Sequence, residues 1–275
     1  MLKFWPFILS SLLMLTIPIL LGWFVHRQRQ PRWRLFFIGM VGFVLSQVFH
    51  IPFNWLMRNI LPTDTTMLLN LLVLALFYGL SAGVFEEVTR YLMYRWMKAA
   101  RTWGRGLMCG AGWGGAESMI LGGLLLLNSV VLAAMSQGMW LDMIPEAQRG
   151  LLDEQIQAML ALPWYEAMLG SVERVFAMCL HLLLSLMVMQ VFTRGKLWWL
   201  WLAIGWHALI DAVVVFVQMQ WQNTYYTQTA VAIFALISLG LIFWLREPEP
   251  PEPELKPLPP VAPLETGETK AASES

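Results

Sequence analysis

The chain has 275 residues, 58% apolar and 13% charged, with a formal net charge of zero and a mean hydropathy of +0.59. A soluble domain carries about a quarter charged residues, so the composition excludes an ordinary water-soluble globule, and no basic patch speaks for nucleic acid as a partner. The two cysteines, Cys109 and Cys179, both lie in apolar stretches, which gives no footing for a disulfide framework or a CxxC metal site.

A membrane-spanning helix needs about 20 mainly apolar residues, and seven candidates follow one another along the chain. The first, 4–25, is too long for the apolar core of a signal peptide and lacks a small-x-small cleavage site, so it reads as a retained span. The second is 35–57, the third 67–94 and the fourth 107–136; the third and fourth are long enough to tilt or to project from the bilayer. Residues 140–165 are not a span but contain an apolar stripe, Leu152, Ile156, Met159 and Leu160, at helical spacing. That segment reads as a helix resting on the membrane surface, with a gating lid as the alternative. The last three spans are 166–192, 197–219 and 227–245. From Glu247 the sequence "EPEPPEPELKPLPPVAPLETGETKAASES" is rich in Pro and Glu and is expected to be an extended, disordered tail, 247–275. Residues 1–246 then form one all-α, polytopic membrane bundle of about seven helices.

Eleven Lys and Arg residues follow spans one, three, five and seven (Arg27, Arg29, Arg32, Arg34, Arg95, Lys98, Arg101, Arg105, Arg194, Lys196, Arg246), whereas the other side has Lys3, Arg58 and Arg149. The positive-inside bias places the N-terminus outside and the C-terminus in the cytosol. Tryptophans as in "KLWWLWL" suit the membrane interface. His26, beside "RQRQ", is interfacial. No internal repeat or nucleotide-binding loop is evident.

Glu86, Glu87, Arg90, Glu117, Glu173, Arg174, His181, His207 and Asp211 fall inside the spans. A charge facing lipid costs roughly 2.5–3.5 kcal/mol even on the forgiving insertion scale, so these groups are expected to face inward and satisfy one another. A purely structural reading pairs Glu86 with Arg90 and Glu173 with Arg174. Depth argues for more. Glu86 lies 9 residues from Arg95, Glu117 12 from Arg105, His181 13 from Arg194 and His207 11 from Lys196. At 1.5 Å per residue, all four sit roughly 14–20 Å above the basic edge. Four helices thus deliver an ionisable group to one layer. Ion pairing alone needs no common plane; a site does. By the same count His50 is roughly 24 Å up and reads as local to the outer end of span two.

Helix faces agree with a shared layer. Gly79, Gly83, Glu86 and Arg90 form one stripe, and small residues let a neighbouring backbone approach. Glu87 is turned about 100° away, so the two carboxylates should have different partners. Gly110, Gly114 and Glu117 align on span four; Arg174, Met178, His181 and Ser185 on span five; His207 and Asp211 on span six. A carboxylate beside an imidazole can deprotonate water, and a second imidazole held by a carboxylate can donate to an oxyanion. The set suits hydrolysis of an amide within the membrane.

In order and spacing, EExxR (Glu86, Glu87, Arg90), GxGWGGxE (Gly110 to Glu117), ERxxAxxxH (Glu173 to His181) and HxxxD (His207 to Asp211) resemble the YhfC family of intramembrane endopeptidases. The motif plan is similar to that of the PrsW proteases and, more distantly, of the CAAX prenyl endopeptidases and bacteriocin-processing relatives. The resemblance covers roughly residues 70–220. It implies a multi-pass protein of the bacterial plasma membrane that cuts a membrane-embedded or lipid-anchored peptide substrate by a glutamic mechanism. Glu86 would be the general base, His181 would help to orient or activate the water, and His207 with Asp211 would form the oxyanion side. Arg90 would set the ionisation of Glu86 or Glu87; Glu117 matches the acidic residue of the second PrsW-like motif, and Glu87 has no assigned task. The CAAX endopeptidases space their arginine as EExxxR, so that detail does not carry over. No cofactor is expected; the alternative within the enzyme class is zinc on Glu86, His181 and His207, for which no HExxH signature is present. The alternatives outside it are a proton-coupled transporter, for which paired broken helices in two related halves are missing, and a non-catalytic scaffold.

Overall fold

The computed structural model describes residues 2–248, so the expected tail lies outside the described residues apart from Glu247 and Pro248. Among the described residues there is no strand, and seven helices are long and apolar enough to span a membrane. In chain order the α-helices of the described residues are α1 (Trp5–Arg29), α2 (Arg34–Met57), α3 (Leu68–Trp96), α4 (Trp103–Met135), α5 (Glu146–Ala161), α6 (Trp164–Ala167), α7 (Leu169–Thr193), α8 (Trp198–Trp221) and α9 (Thr224–Trp244), of which α5 is not a span. The short α6 and α7 together make the fifth span. The seven spans expected from hydropathy are present, with ends shifted by up to four residues.

α4 is the hub, packing on α1, α2 and α7, while α3 lies along α8 and touches α2 and α7. α7 is the innermost helix: 72% of its most apolar window is buried, against 33–39% for the other spans. Side chains such as Leu69, Trp55, Leu124 and Leu236 stay exposed on the outer face, as expected where lipid is the solvent. Van der Waals contact between helices then replaces the hydrophobic drive, which favours small residues at the crossings.

Two crossings matter for the site. A Cβ on Gly112 of α4 would lie 1.9 Å from the Phe36 carbonyl oxygen of α2, and one on Gly79 of α3 would lie 2.3 Å from the Ala208 carbonyl oxygen of α8. Nothing larger than glycine fits at either. The first crossing brings α2 beside the GxGWGGxE segment; the second sets α3 against α8, the two helices that carry Glu87 and His207.

The 140–165 segment contains α5, whose apolar stripe does not lie free. Ile156 is buried against Phe4, Leu132 and Ala133, with Leu152, Met159 and Leu160 packed around it. The stripe was legible in the sequence; its partners are the ends of α1 and α4.

Candidate functional site

Helix periodicity points Glu86 and Glu87 in different directions, and their partners differ accordingly. Glu87 and Arg90 are both fully buried one turn apart on α3, and one Arg90 nitrogen, Nη1, donates to both Glu87 oxygens at 2.7 and 2.5 Å. The Arg90 guanidinium lies over the Trp113 ring, 4.2 Å from its centre, a cation–π contact that helps a cation tolerate this depth. The expected Glu86–Arg90 pair does not form. At i,i+3 the guanidinium reaches Glu87, and Glu86 finds its partners elsewhere.

Glu86 is held by two neutral donors instead. Trp113 Nε1–H donates to Oε2 at 2.9 Å, and Gln47 of α2 donates through Nε2 to Oε1 at 3.2 Å. Among the described residues no cation comes within ion-pair distance of Glu86. Each of its oxygens keeps acceptor capacity beyond these bonds.

The other carboxylates and both histidines form two chains. In the first, Arg90 Nη2 lies 3.3 Å from His181 Nδ1, and His181 Nε2 lies 2.9 Å from Glu117. A guanidinium offers only donors, so Nδ1 accepts and the ring proton sits on Nε2, donated to Glu117. The other Glu117 oxygen accepts from Arg174 at 2.8 Å. Arg174 also pairs with its neighbour Glu173, which in turn accepts from Gln228 of α9 at 2.9 Å. The Glu173–Arg174 pair of the purely structural reading is therefore present, but as one link in a longer run.

In the second chain, His207 Nδ1 lies 2.8 Å from Glu87 Oε1 and its Nε2 lies 3.5 Å from Asp211 Oδ2. A carboxylate accepts, so Nδ1 carries an N–H toward Glu87; the contact of Nε2 to Asp211 is longer than a normal hydrogen bond. The His181 and His207 rings stand edge to face, 6.0 Å apart between centres.

Glu86, Glu117, Glu173, Arg174, His181, His207 and Asp211 all line one cavity of about 110 Å³ between α3, α4, α7, α8 and α9, with Leu184, Ile210 and Val231 in its apolar lining. The volume holds several waters. The four groups placed at one depth thus line one cavity. Glu87 and Arg90 stand behind its wall, buried and not lining it. The residues missed by sequence reasoning are Gln47 and Trp113. Both are neutral, and a search for charges inside the membrane passes over them.

The zinc alternative requires Glu86, His181 and His207 to turn lone pairs toward one point. His181 instead meets a guanidinium on one nitrogen and donates from the other, and His207 lies between two carboxylates. Among the described residues no group of three or more His, Cys, Asp or Glu is gathered for a metal ion. As arranged, these side chains do not fit a zinc centre.

The sequence model of the family described as "YhfC intramembrane metalloprotease" matches residues 13–237. A relative from Bacillus subtilis (strain 168), described as "Uncharacterized membrane protein YhfC", is 32% identical over 244 residues, covering 86% of this chain and 93% of the relative. No solved structure matches the chain.

Proposed function

This chain belongs to the YhfC family, and from that premise we propose that it is an intramembrane endopeptidase of the glutamic type, a multi-pass protein of the bacterial plasma membrane. It hydrolyses a peptide bond of a membrane-embedded or lipid-anchored substrate. The observation that carries this reading is Glu86: a buried carboxylate inside the bundle, bordering a cavity that holds several waters, with two neutral donors and, among the described residues, no cation at ion-pair distance. An acid locked in an ion pair is a poor base, because the proton it takes must displace its partner; Glu86 is under no such lock.

In the proposed reaction, Glu86 takes a proton from a water in the cavity as the water oxygen attacks the scissile carbonyl carbon. The oxyanion so formed accepts a hydrogen bond from Nε2 of His207, protonated at both ring nitrogens in this scheme, whose contact to Asp211 is long enough to yield while Glu87 holds the ring from Nδ1. Pre-aimed donors of this kind act strongly where water is excluded. When the tetrahedral species breaks down, Glu86 returns the proton to the leaving amine. His181, engaged at both nitrogens, serves as an orienting group that fixes Glu117 and Arg174 on the far wall. Glu117 and Arg174 shape the site, and Arg90 anchors Glu87.

The family description names a metal, and the side chains here do not fit one, so metal dependence is the sharpest test. Purified protein in nanodiscs, stripped by exhaustive chelation, should cut a single-span reporter at the rate of untreated protein. Loss of cleavage on chelation, restored by added zinc, would overturn the glutamic assignment and favour a rearranged metal centre.

A further inference from the structure

Beyond Glu86 the polar contacts do not stop at Gln47. Gln47 Oε1 lies 3.2 Å from His50 Nδ1, His50 Nε2 lies 3.1 Å from Ser81 Oγ, and Asn54 Nδ2 lies 2.9 Å from the same His50 nitrogen. The His50 ring also stacks on Phe85, next to Glu86 in sequence, with centres 5.6 Å apart and planes at 27°. All four polar side chains are half-buried or buried on the α2–α3 side of the bundle, where a chain of hydrogen-bonding groups is costly unless each is satisfied.

Donor logic gives the chain a direction. A carboxylate accepts, so Gln47 must turn its N–H to Glu86 and its carbonyl to His50. That carbonyl also only accepts, so His50 carries its proton on Nδ1. Nε2 is then the acceptor, and the Asn54 amide donates to it. Every bond in the run Asn54, His50, Gln47, Glu86 is donated toward the carboxylate. Reversing any one of them would face acceptor to acceptor or donor to donor.

We propose that His50 is a positioning residue for the base: it locks the Gln47 amide with its N–H toward Glu86, so that the carboxylate is held charged and aimed by a donor that cannot flip. Without the Nδ1–H of His50, the Gln47 carbonyl loses the donor that fixes it, and the amide is held at its N–H end alone, free to swing out of line with Glu86. The inference rests on the reading of Glu86 as general base, but its physical core, a hydrogen bond controlled from two residues away, is testable without cleavage.

The experiment is infrared difference spectroscopy of the full chain in nanodiscs, with the Glu86 carboxyl band assigned by its loss in Glu86→Gln. His50→Leu and Gln47→Leu should displace that band in the same sense. His50→Asn, which keeps an amide donor near the Nδ1 position, should leave it where the wild type has it. A band unmoved in His50→Leu, or displaced equally in His50→Asn, overturns the proposal. In parallel, kcat for a single-span reporter should fall about ten- to a hundredfold in His50→Leu, the rate equivalent of one hydrogen bond to a charged group, with KM unchanged and most of the loss restored in His50→Asn. A raised KM at constant kcat would also overturn it. If the band moves as expected while Glu86→Gln cuts like wild type, the network stands and the base assignment fails.

Discussion

Replacing Glu86 by glutamine should lower turnover about a hundred- to ten-thousandfold, the contribution typical of a positioned general base, and should leave the fold intact. Glutamine has nearly the shape of glutamate, so the cavity and the packing around it persist. The Trp113 indole N–H can still donate to the amide oxygen, and no cation is orphaned, because none pairs with Glu86 among the described residues. The Gln47 amide would have to turn over, since it would otherwise face a second N–H donor. The expected result is a protein that melts close to wild type and does not cut a single-span reporter; both are read on one nanodisc preparation. Retained cleavage would move the base elsewhere in the cavity, to Glu117 or Asp211.

Arg90→Met should do the opposite, damaging stability first. Removing one member of a fully buried ion pair leaves the other charge unpaired, a loss of about 3–5 kcal/mol. Here the stranded group is Glu87, with 0% exposed side-chain surface and only His207 left to satisfy it. The His181 ring also loses its donor on Nδ1, and Trp113 loses the guanidinium over its face. Removing both charges together, Arg90→Met with Glu87→Leu, should regain much of that stability, because apolar groups of similar size often replace buried pairs at little cost. Activity should not return, since His207 would then lack its anchor. Thermal denaturation of the two single variants and the double variant measures this coupling. Additive losses, with the double variant as unstable as the sum, would mean that the pair does not act as a unit.

The contrast between Glu86 and Glu87 marks what the sequence could and could not tell. Adjacent residues on a helix point about 100° apart, so two different environments were legible from the dipeptide alone. Which of the two would take Arg90 was not, because i,i+3 and i,i+4 are both within reach on a helix. Tertiary packing decides it: the close α3–α8 crossing at Gly79 brings His207 to Glu87 and leaves Glu86 toward α2 and α4. The spans and the common depth of Glu86, Glu117, His181 and His207 were readable because apolar length and helical rise are local properties. Neighbour relations are not local. Trp113 sits inside a quoted motif, yet nothing in its spacing says that its N–H reaches Glu86. His50 counts as too high for the polar layer when side chains are ignored. The extra reach of Gln47 closes that gap and ties it to the site. Likewise the apolar stripe of α5 announced a partner, while Phe4 and Leu132 emerged only from the packing.

The most direct measurement is single-turnover cleavage of a single-span reporter in heavy-oxygen water, with the products analysed by mass spectrometry. The account predicts two fragments from the wild-type protein, the newly formed carboxyl terminus carrying one heavy oxygen, and an intact reporter from folded Glu86→Gln protein. An intact reporter with both proteins, or labelled fragments in equal yield from both, would contradict it.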